Sequence, residues 1–296
     1  VNIDILYSEY KPLLFSIGYN MLGSVEDSED LVQDTFVAVQ KLQNTLTEEP
    51  SNVKAFLCKI MTNRCLDLLK SSKKKREVYV GPWLPEPILQ MKFEGIYEED
   101  PAEKVILDET ISYALLVLLE QLNPVERAVF ILREVFEFDY KNIAEILNKS
   151  EMNCRKIFSR VQHKIQSDQT VTQANTEEDF ILAKRFKEAT GTGNLEELIT
   201  LLTDDIVLVT DGGGKVKAAL RPIYEKKNVV AFLTSLAKKL MDSVQIQFII
   251  VNGQIGIFVD DPEPTVICFE RVGDCYKKIF MVRNPDKITN LETIKK

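Results

Sequence analysis

A chain of 296 residues, 45% hydrophobic and 28% charged, has room for two or three modest domains that each bury a core. No apolar run is long enough to cross a bilayer, and the start, VNIDILYSEY, lacks the basic and apolar blocks of a signal peptide. The net charge is −8, the five cysteines are odd in number without zinc-site spacing, and His163 is the only histidine, which excludes any site built on two imidazoles. Reduced thiols point to the cytoplasm, and neither a metal nor a cofactor is expected.

Residues 1–76 read as an all-helical domain. In Ser24 to Lys41, Leu31, Val32, Phe36 and Val39 form an apolar stripe, continued by Leu42. The acidic residues Glu26 to Asp30 complement the positive helix start. Asp30, Gln33 and Asp34 lie beside the stripe, placed to dock a basic partner. In Val53 to Lys75 the buried stripe is Leu57, Ile60, Met61, Cys65 and Leu68. Asn63, Asp67, Lys70 and Lys74 line the opposite face. That face suits capture of a single strand or a flipped base. A lysine-rich helix end interacting with its own dipole is the plainer alternative.

Residues 77–104 hold Pro82, Pro85, Pro87 and Pro101 and read as a linker. Trp83, the only tryptophan, stands there in GPWLPEP, where no helix buries it. A stiff spacer is one reading; a large aromatic in need of a groove is the other. Residues 105–168 are helical again and end in Asp139 to Lys164, a helix-turn-helix pattern. Ala144 sits where the two helices meet, Asn148 tolerates the left-handed turn, and Ser150 caps the second helix. Cys154, Ile157, Val161 and Ile165 face inward, leaving Glu151, Met152, Arg155, Lys156, Ser159 and Arg160 outward. Such a basic face reads base edges and grips phosphates; an ordinary helical hairpin with a solvated face is the alternative. Positive charge is focused here and in KSSKKKR, Lys70 to Arg76, on an otherwise acidic chain. A chain so charged binds DNA weakly alone and needs a partner to bring it to the duplex.

Residues 177–290 change character. Helices at Asp179 to Thr190 and Leu195 to Leu202 precede a strand at Ile206 to Thr210, and another helix spans Asn228 to Leu240. Alternating strands follow, with hairpin signals at Asn252-Gly253 and Gly273-Asp274, so a curled antiparallel sheet in an α+β domain is expected. DGGGK, Asp211 to Lys215, lacks the spacing and ending of a P-loop. It is either a plain glycine-rich hairpin loop or a place where a partner approaches the backbone closely.

DSEDLVQDTF, AFLCKIMTNRCLDLLK and LNPVERAVFILREVFEFDYKNIAEIL, in this order, resemble regions 2 and 4 of the extracytoplasmic-function class of sigma-70 factors. GPWLPEP, DGGGK and NPDKI at Asn284 to Ile288 resemble the signature of the sigma-J-type subgroup, which carries a fused SnoaL-like domain; Ile288 stands where leucine is usual. The resemblance implies two all-α sigma domains, a region 2 helical bundle and a region 4 helix-turn-helix, followed by an α+β cone. It implies that Asp30, Gln33 and Asp34 meet core RNA polymerase, and that Asn63, Arg64, Asp67 and Lys70 face the promoter minus-ten element; Lys74, on the same helix face, is taken with them as a DNA contact. Glu151, Arg155, Lys156 and Arg160 would read the minus-thirty-five element. Trp83, Leu84 and Pro85 would meet Asp211, Gly212, Gly213, Gly214 and Lys215 and Asn284, Pro285, Asp286 and Lys287 in a regulatory contact. The linker extends at most roughly 80–90 Å, enough for promoter elements on the order of 50–60 Å apart.

The implied function is a promoter-recognition subunit regulated in cis, not an enzyme. Its partners are core polymerase and promoter DNA, with an unidentified small molecule in the cone as a further candidate and no membrane. Two alternatives stay open. One is a one-component, ligand-responsive regulator. The other is a SnoaL-like isomerase or cyclase with a DNA-binding appendage, for which Asp205, Asp211 and Asp260 are the available carboxylates.

Overall fold

The structure, a computed structural model, describes residues 3–43, 52–90, 111–168, 176–240 and 244–288, and side chains within them apart from 43, 72–77, 90, 167–168, 176 and 239–240. The described residues fall into two compact units.

The first unit is helical. α1 (Ile3–Leu22), α2 (Val25–Gln43) and α3 (Val53–Glu77) pack around Leu14, Ile17, Met21, Val32, Leu57, Met61 and Cys65. Gly18 permits the close approach: a Cβ there would fall 2.5 Å from Met61 Cε and 3.1 Å from Ser28 Cβ. After α4 (Tyr113–Leu119), α5 (Pro124–Phe130) starts at a capping box, with Asn123 Oδ1 accepting from the Val125 and Glu126 N–H groups. One π turn, Ile131–Val135, carries α5 into the helix-turn-helix. There α6 (Tyr140–Leu147) is capped by Asp139, Asn148 closes it at φ 52° and ψ 53°, and Ser150 Oγ accepts from Asn153 N–H at the start of α7 (Glu151–Asp168). Cys154, Ile157, Val161 and Ile165 are buried. Arg127, on α5 and 3% exposed, donates to the Met21 carbonyl at 2.6 Å, at the end of α1 where helical carbonyls lack intrahelical partners. It also pairs with Glu120 at 2.5 Å. One buried side chain thus ties the α1–α3 bundle to the helices that follow.

The second unit is α+β: α8 (Thr176–Thr192), α9 (Leu195–Thr200), β2 (Leu202–Asp211), β3 (Ile223–Tyr224), α10 (Lys226–Leu240), β4 (Gln245–Val251), β5 (Gln254–Asp260), β6 (Thr265–Val272) and β7 (Cys275–Val282), then a 3-10 turn, Pro285–Lys287. With β1 (Leu89–Gln90), the sheet order is β1-β4-β5-β6-β7-β2-β3. It is mixed rather than wholly antiparallel, because β2 runs parallel to β7. The expectation missed this because alternation reports burial and says nothing of strand direction. Asn252 and Gly253, at φ 49° and 73°, make the two-residue turn that joins β4 and β5. One sheet face buries Ile257, Val259, Ile267, Phe269, Ile279 and Met281 against Leu182 and Phe186 of α8 and Leu233 of α10. Strand β1 (Leu89–Gln90) comes from the proline-rich segment and pairs with β4. Residues 78–90 and 112–114 therefore belong with this unit.

Candidate linker clasp and nucleic-acid interface

The three unusual loops of the sequence meet around the Asp211 carboxylate, which is fully buried. One oxygen accepts from Tyr79 Oη (2.6 Å) and Gly213 N–H (2.9 Å); the other accepts from Leu84 N–H (2.9 Å) and Lys287 Nζ (2.7 Å). A buried carboxylate is tolerated only when its lone pairs are filled, and four donors fill them. The Asp211 carbonyl accepts from the Arg283 and Asn284 N–H groups, joining the end of β2 to the end of β7.

Lys287 is the second centre. Its ammonium donates to the Leu84 carbonyl at 2.5 Å and lies 4.2 Å from the Trp83 ring centre and 4.9 Å from that of Tyr79. Asn284 donates from Nδ2 to Tyr79 Oη at 2.9 Å and caps the 3-10 turn through Asp286 N–H. Lys215 and Asp286 pair at 2.6 Å on the surface. Burial, with the hydrogen bond to Asp211, raises the Tyr79 phenol well above its ordinary range.

The glycines have separate reasons. A Cβ on Gly212 would strike the Val216 carbonyl, and one on Gly213, at φ 59°, would strike the Asn284 amide. A Cβ on Gly214, at φ 72°, would press on Val80 at 3.1 Å. Leu84 is the buried linker anchor at 1%, while Trp83 is half-buried against Lys287. Further along, Ile88 and Asn252 exchange hydrogen bonds of 3.0 and 3.1 Å. Tyr113 donates to the Pro85 carbonyl at 2.7 Å and sets its ring edge-on to Phe280. Sequence reasoning named Trp83, Leu84, Pro85, the DGGGK loop and Asn284 to Lys287, and these come together. It missed Tyr79, Ile88, Asn252 and Tyr113. Tyr79, an aromatic four residues upstream of Trp83, carried a faint signal; Asn252 was marked only as a hairpin turn, and Ile88 and Tyr113 carried none.

Between α8, α10 and the sheet lies a cavity of about 230 Å³, walled by Phe186, Leu233, Ile246, Ile257 and Met281. None of the three proposed carboxylates fits as a base in it. Asp205 is exposed, Asp211 is committed to the clasp, and Asp260 is not among the lining residues. The carboxylate at the cavity is Asp261, with Arg283 and Thr265. Arg283 donates to Thr265 Oγ1, to the Lys217 carbonyl and to Glu263. Among the described residues no group of three or more His, Cys, Asp or Glu is placed to hold a metal, and no helix is long and apolar enough to cross a membrane.

In the helical unit, Asp30, Gln33 and Asp34 are exposed on α2. Asn63, Asp67 and Lys70 are exposed on α3; the Lys74 side chain lies outside the described residues. Arg64 pairs with Asp34 at 3.1 Å, and Lys70 with Asp67 at 2.9 Å. On α7, Glu151, Arg155, Lys156 and Arg160 are all exposed. Arg155 lies 4.3 Å from the Tyr140 ring centre and 3.7 Å from Glu151, so packing and charge both fix its direction.

The family models for sigma-70 region 2 and sigma-70 region 4 match residues 6–75 and 112–161. The chain is 28% identical to the ECF RNA polymerase sigma factor SigJ of Mycobacterium tuberculosis, across 95% of this chain and 93% of SigJ. The crystal structure of that factor superposes with a TM-score of 0.76 at 25% identity, covering 96% of this chain and 97% of SigJ. The chain belongs to the extracytoplasmic-function class of the sigma-70 family. A probable sigma factor of the same organism, SigI, is 27% identical over 68% of this chain and 67% of its own length. In this sigma factor α1–α3 form region 2, α4–α7 lie in region 4, and the sheet unit is the added C-terminal domain.

Proposed function

We propose that this sigma factor directs core RNA polymerase to its promoters and that its C-terminal domain restrains it by clasping the linker. Asp30, Gln33 and Asp34 meet the polymerase. Asn63, Arg64, Asp67, Lys70 and Lys74 meet the minus-ten element, and Glu151, Arg155, Lys156 and Arg160 the minus-thirty-five element. The C-terminal domain performs no catalysis, and the factor acts in the cytoplasm.

The observation that carries the regulatory part is the burial of Asp211 under four donors, two of them from the linker. α3 ends at Glu77, two residues before Tyr79, and the first helix of region 4 begins at Tyr113, bonded to Pro85. Tyr79 and Pro85 are six residues apart and so at most roughly 20 Å. The clasp bypasses the chain between Pro85 and Tyr113 and removes that length from the linker's reach. Promoter elements lie on the order of 50–60 Å apart, so engaging both favours release of the linker. The test is the affinity of purified core polymerase for the native chain and for Leu84→Asp, which removes the buried anchor from the linker side. Tighter binding by the variant supports the restraint; equal or weaker binding refutes it.

A further inference from the structure

Glu126 has a second task beyond capping α5. Its carboxylate accepts from the Asn123 N–H at 3.3 Å, completing the capping box, and its side chain is only 8% exposed. The same carboxylate reaches two cations of α7. Oε1 lies 3.5 Å from Arg160 Nε, and Oε2 lies 3.4 Å from Lys164 Nζ. Those cations are 62% and 53% exposed, one turn apart. The other carboxylates beside cations of the proposed DNA surfaces, Asp34, Asp67 and Glu151, are themselves exposed. Lys156 faces no carboxylate at ion-pair distance among the described residues.

We propose that Glu126 is a positioning residue that competes internally with DNA phosphate: it holds Arg160 and Lys164 and lowers the sequence-independent affinity of region 4. This rests on the reading that the outer face of α7 meets DNA. Sequence-independent affinity comes from cations that displace counterions condensed on the duplex. A cation already balanced by a protein carboxylate contributes less to that exchange. An exposed acid is screened by salt and swings aside, whereas Glu126 is fixed by its cap and shielded by burial. The damping is partial, since an ammonium has three donors and a guanidinium five, and both heads stay open to solvent. Both damped cations lie in the second half of α7, while Glu151, Arg155 and Lys156 in its first turns are left to discriminate sequence.

The test is anisotropy of a labelled random-sequence duplex with the full-length chain, titrated between about 50 and 200 mM salt. Glu126→Gln keeps the cap, because glutamine serves in a capping box. It should bind several-fold more tightly at the low-salt end, with a log-log salt slope steeper by about one to two. Glu145→Gln removes an equal charge from an exposed site on α6 and should change neither. The double variant Arg160→Ala/Lys164→Ala should lose less affinity than Lys156→Ala alone. If Lys156→Ala binds like the native chain, the α7 face is not the DNA surface and the underlying reading falls. If Lys156→Ala weakens binding while Glu126→Gln matches native or Glu145→Gln, the proposal for Glu126 is overturned. A larger loss from the double variant than from Lys156→Ala overturns it too, even if Glu126→Gln does not fold.

Discussion

Asp211→Asn should open the linker clasp without changing the shape of the residue. The amide keeps one acceptor for Tyr79 and Gly213 but turns a donor toward the Leu84 N–H and the Lys287 ammonium, now at 2.9 and 2.7 Å from a carboxylate oxygen. A hydrogen bond to a charged group is worth roughly 1.5–3 kcal/mol, and stripping one partner from a buried ion pair costs about 3–5 kcal/mol in all. Of the two bonds lost, only that of Leu84 reaches the linker, and its loss shifts the docked-to-free ratio by roughly ten- to a hundred-fold at about 1.4 kcal/mol per decade. Hydrogen exchange at the Leu84 amide reads this directly, and acrylamide quenching of Trp83, the only tryptophan, reads it independently. Tyr79→Phe gives a milder version from the linker side, losing the bonds to Asp211 and Asn284. If Leu84 exchanges at the native rate in Asp211→Asn while the domain stays folded, the carboxylate does not hold the linker.

Asp34→Lys should weaken binding to core polymerase and leave the fold intact, because Asp34 is exposed and its partner Arg64 is only part-buried; native affinity in a pull-down would remove Asp34 from the polymerase surface. Arg155→Ala should cost roughly 1–3 kcal/mol and relax preference at one base position, whereas equal weakening on all sequences would make it a phosphate contact. Arg127→Ala should destabilise the helical unit by about 3–5 kcal/mol in denaturant melts, since it removes the buried pair with Glu120 and the bond to the Met21 carbonyl. The clasp should also loosen in alkali. The Tyr79 phenol ionises less readily in the docked state than in the free one, so its contribution is whole below the ordinary tyrosine range and is lost as pH rises through the raised value. Trp83 quenching against pH should show a step above about 10 that Tyr79→Phe lacks.

The helical unit was legible because its signals are local. Asn148 in the left-handed turn, Ser150 as a cap and the Cys154, Ile157, Val161, Ile165 stripe each depend on neighbours within one or two turns. The strands of the C-terminal domain were legible for the same reason, but β2 beside β7 was not, since parallel pairing leaves no mark in alternation. The clasp was half legible. Pro, Trp and Gly clusters flag unusual backbone, so Trp83 and Gly212 to Gly214 stood out. Tyr79, bonded across 132 residues to Asp211, looks like any other linker residue. Glu126 shows the same limit: PVER reads as a helix start, and only the fold brings Arg160 and Lys164 to it.

If the C-terminal domain restrains this sigma factor by holding its linker, freeing the linker must raise affinity for the polymerase. The most direct measurement is the affinity of purified core RNA polymerase for the native chain, for Asp211→Asn and for Leu84→Asp, one variant on each side of the clasp. Both variants should bind core more tightly than the native chain, in the order in which they expose Trp83. Equal affinity for all three, or weaker binding by both variants with their helical unit intact, would contradict the restraint.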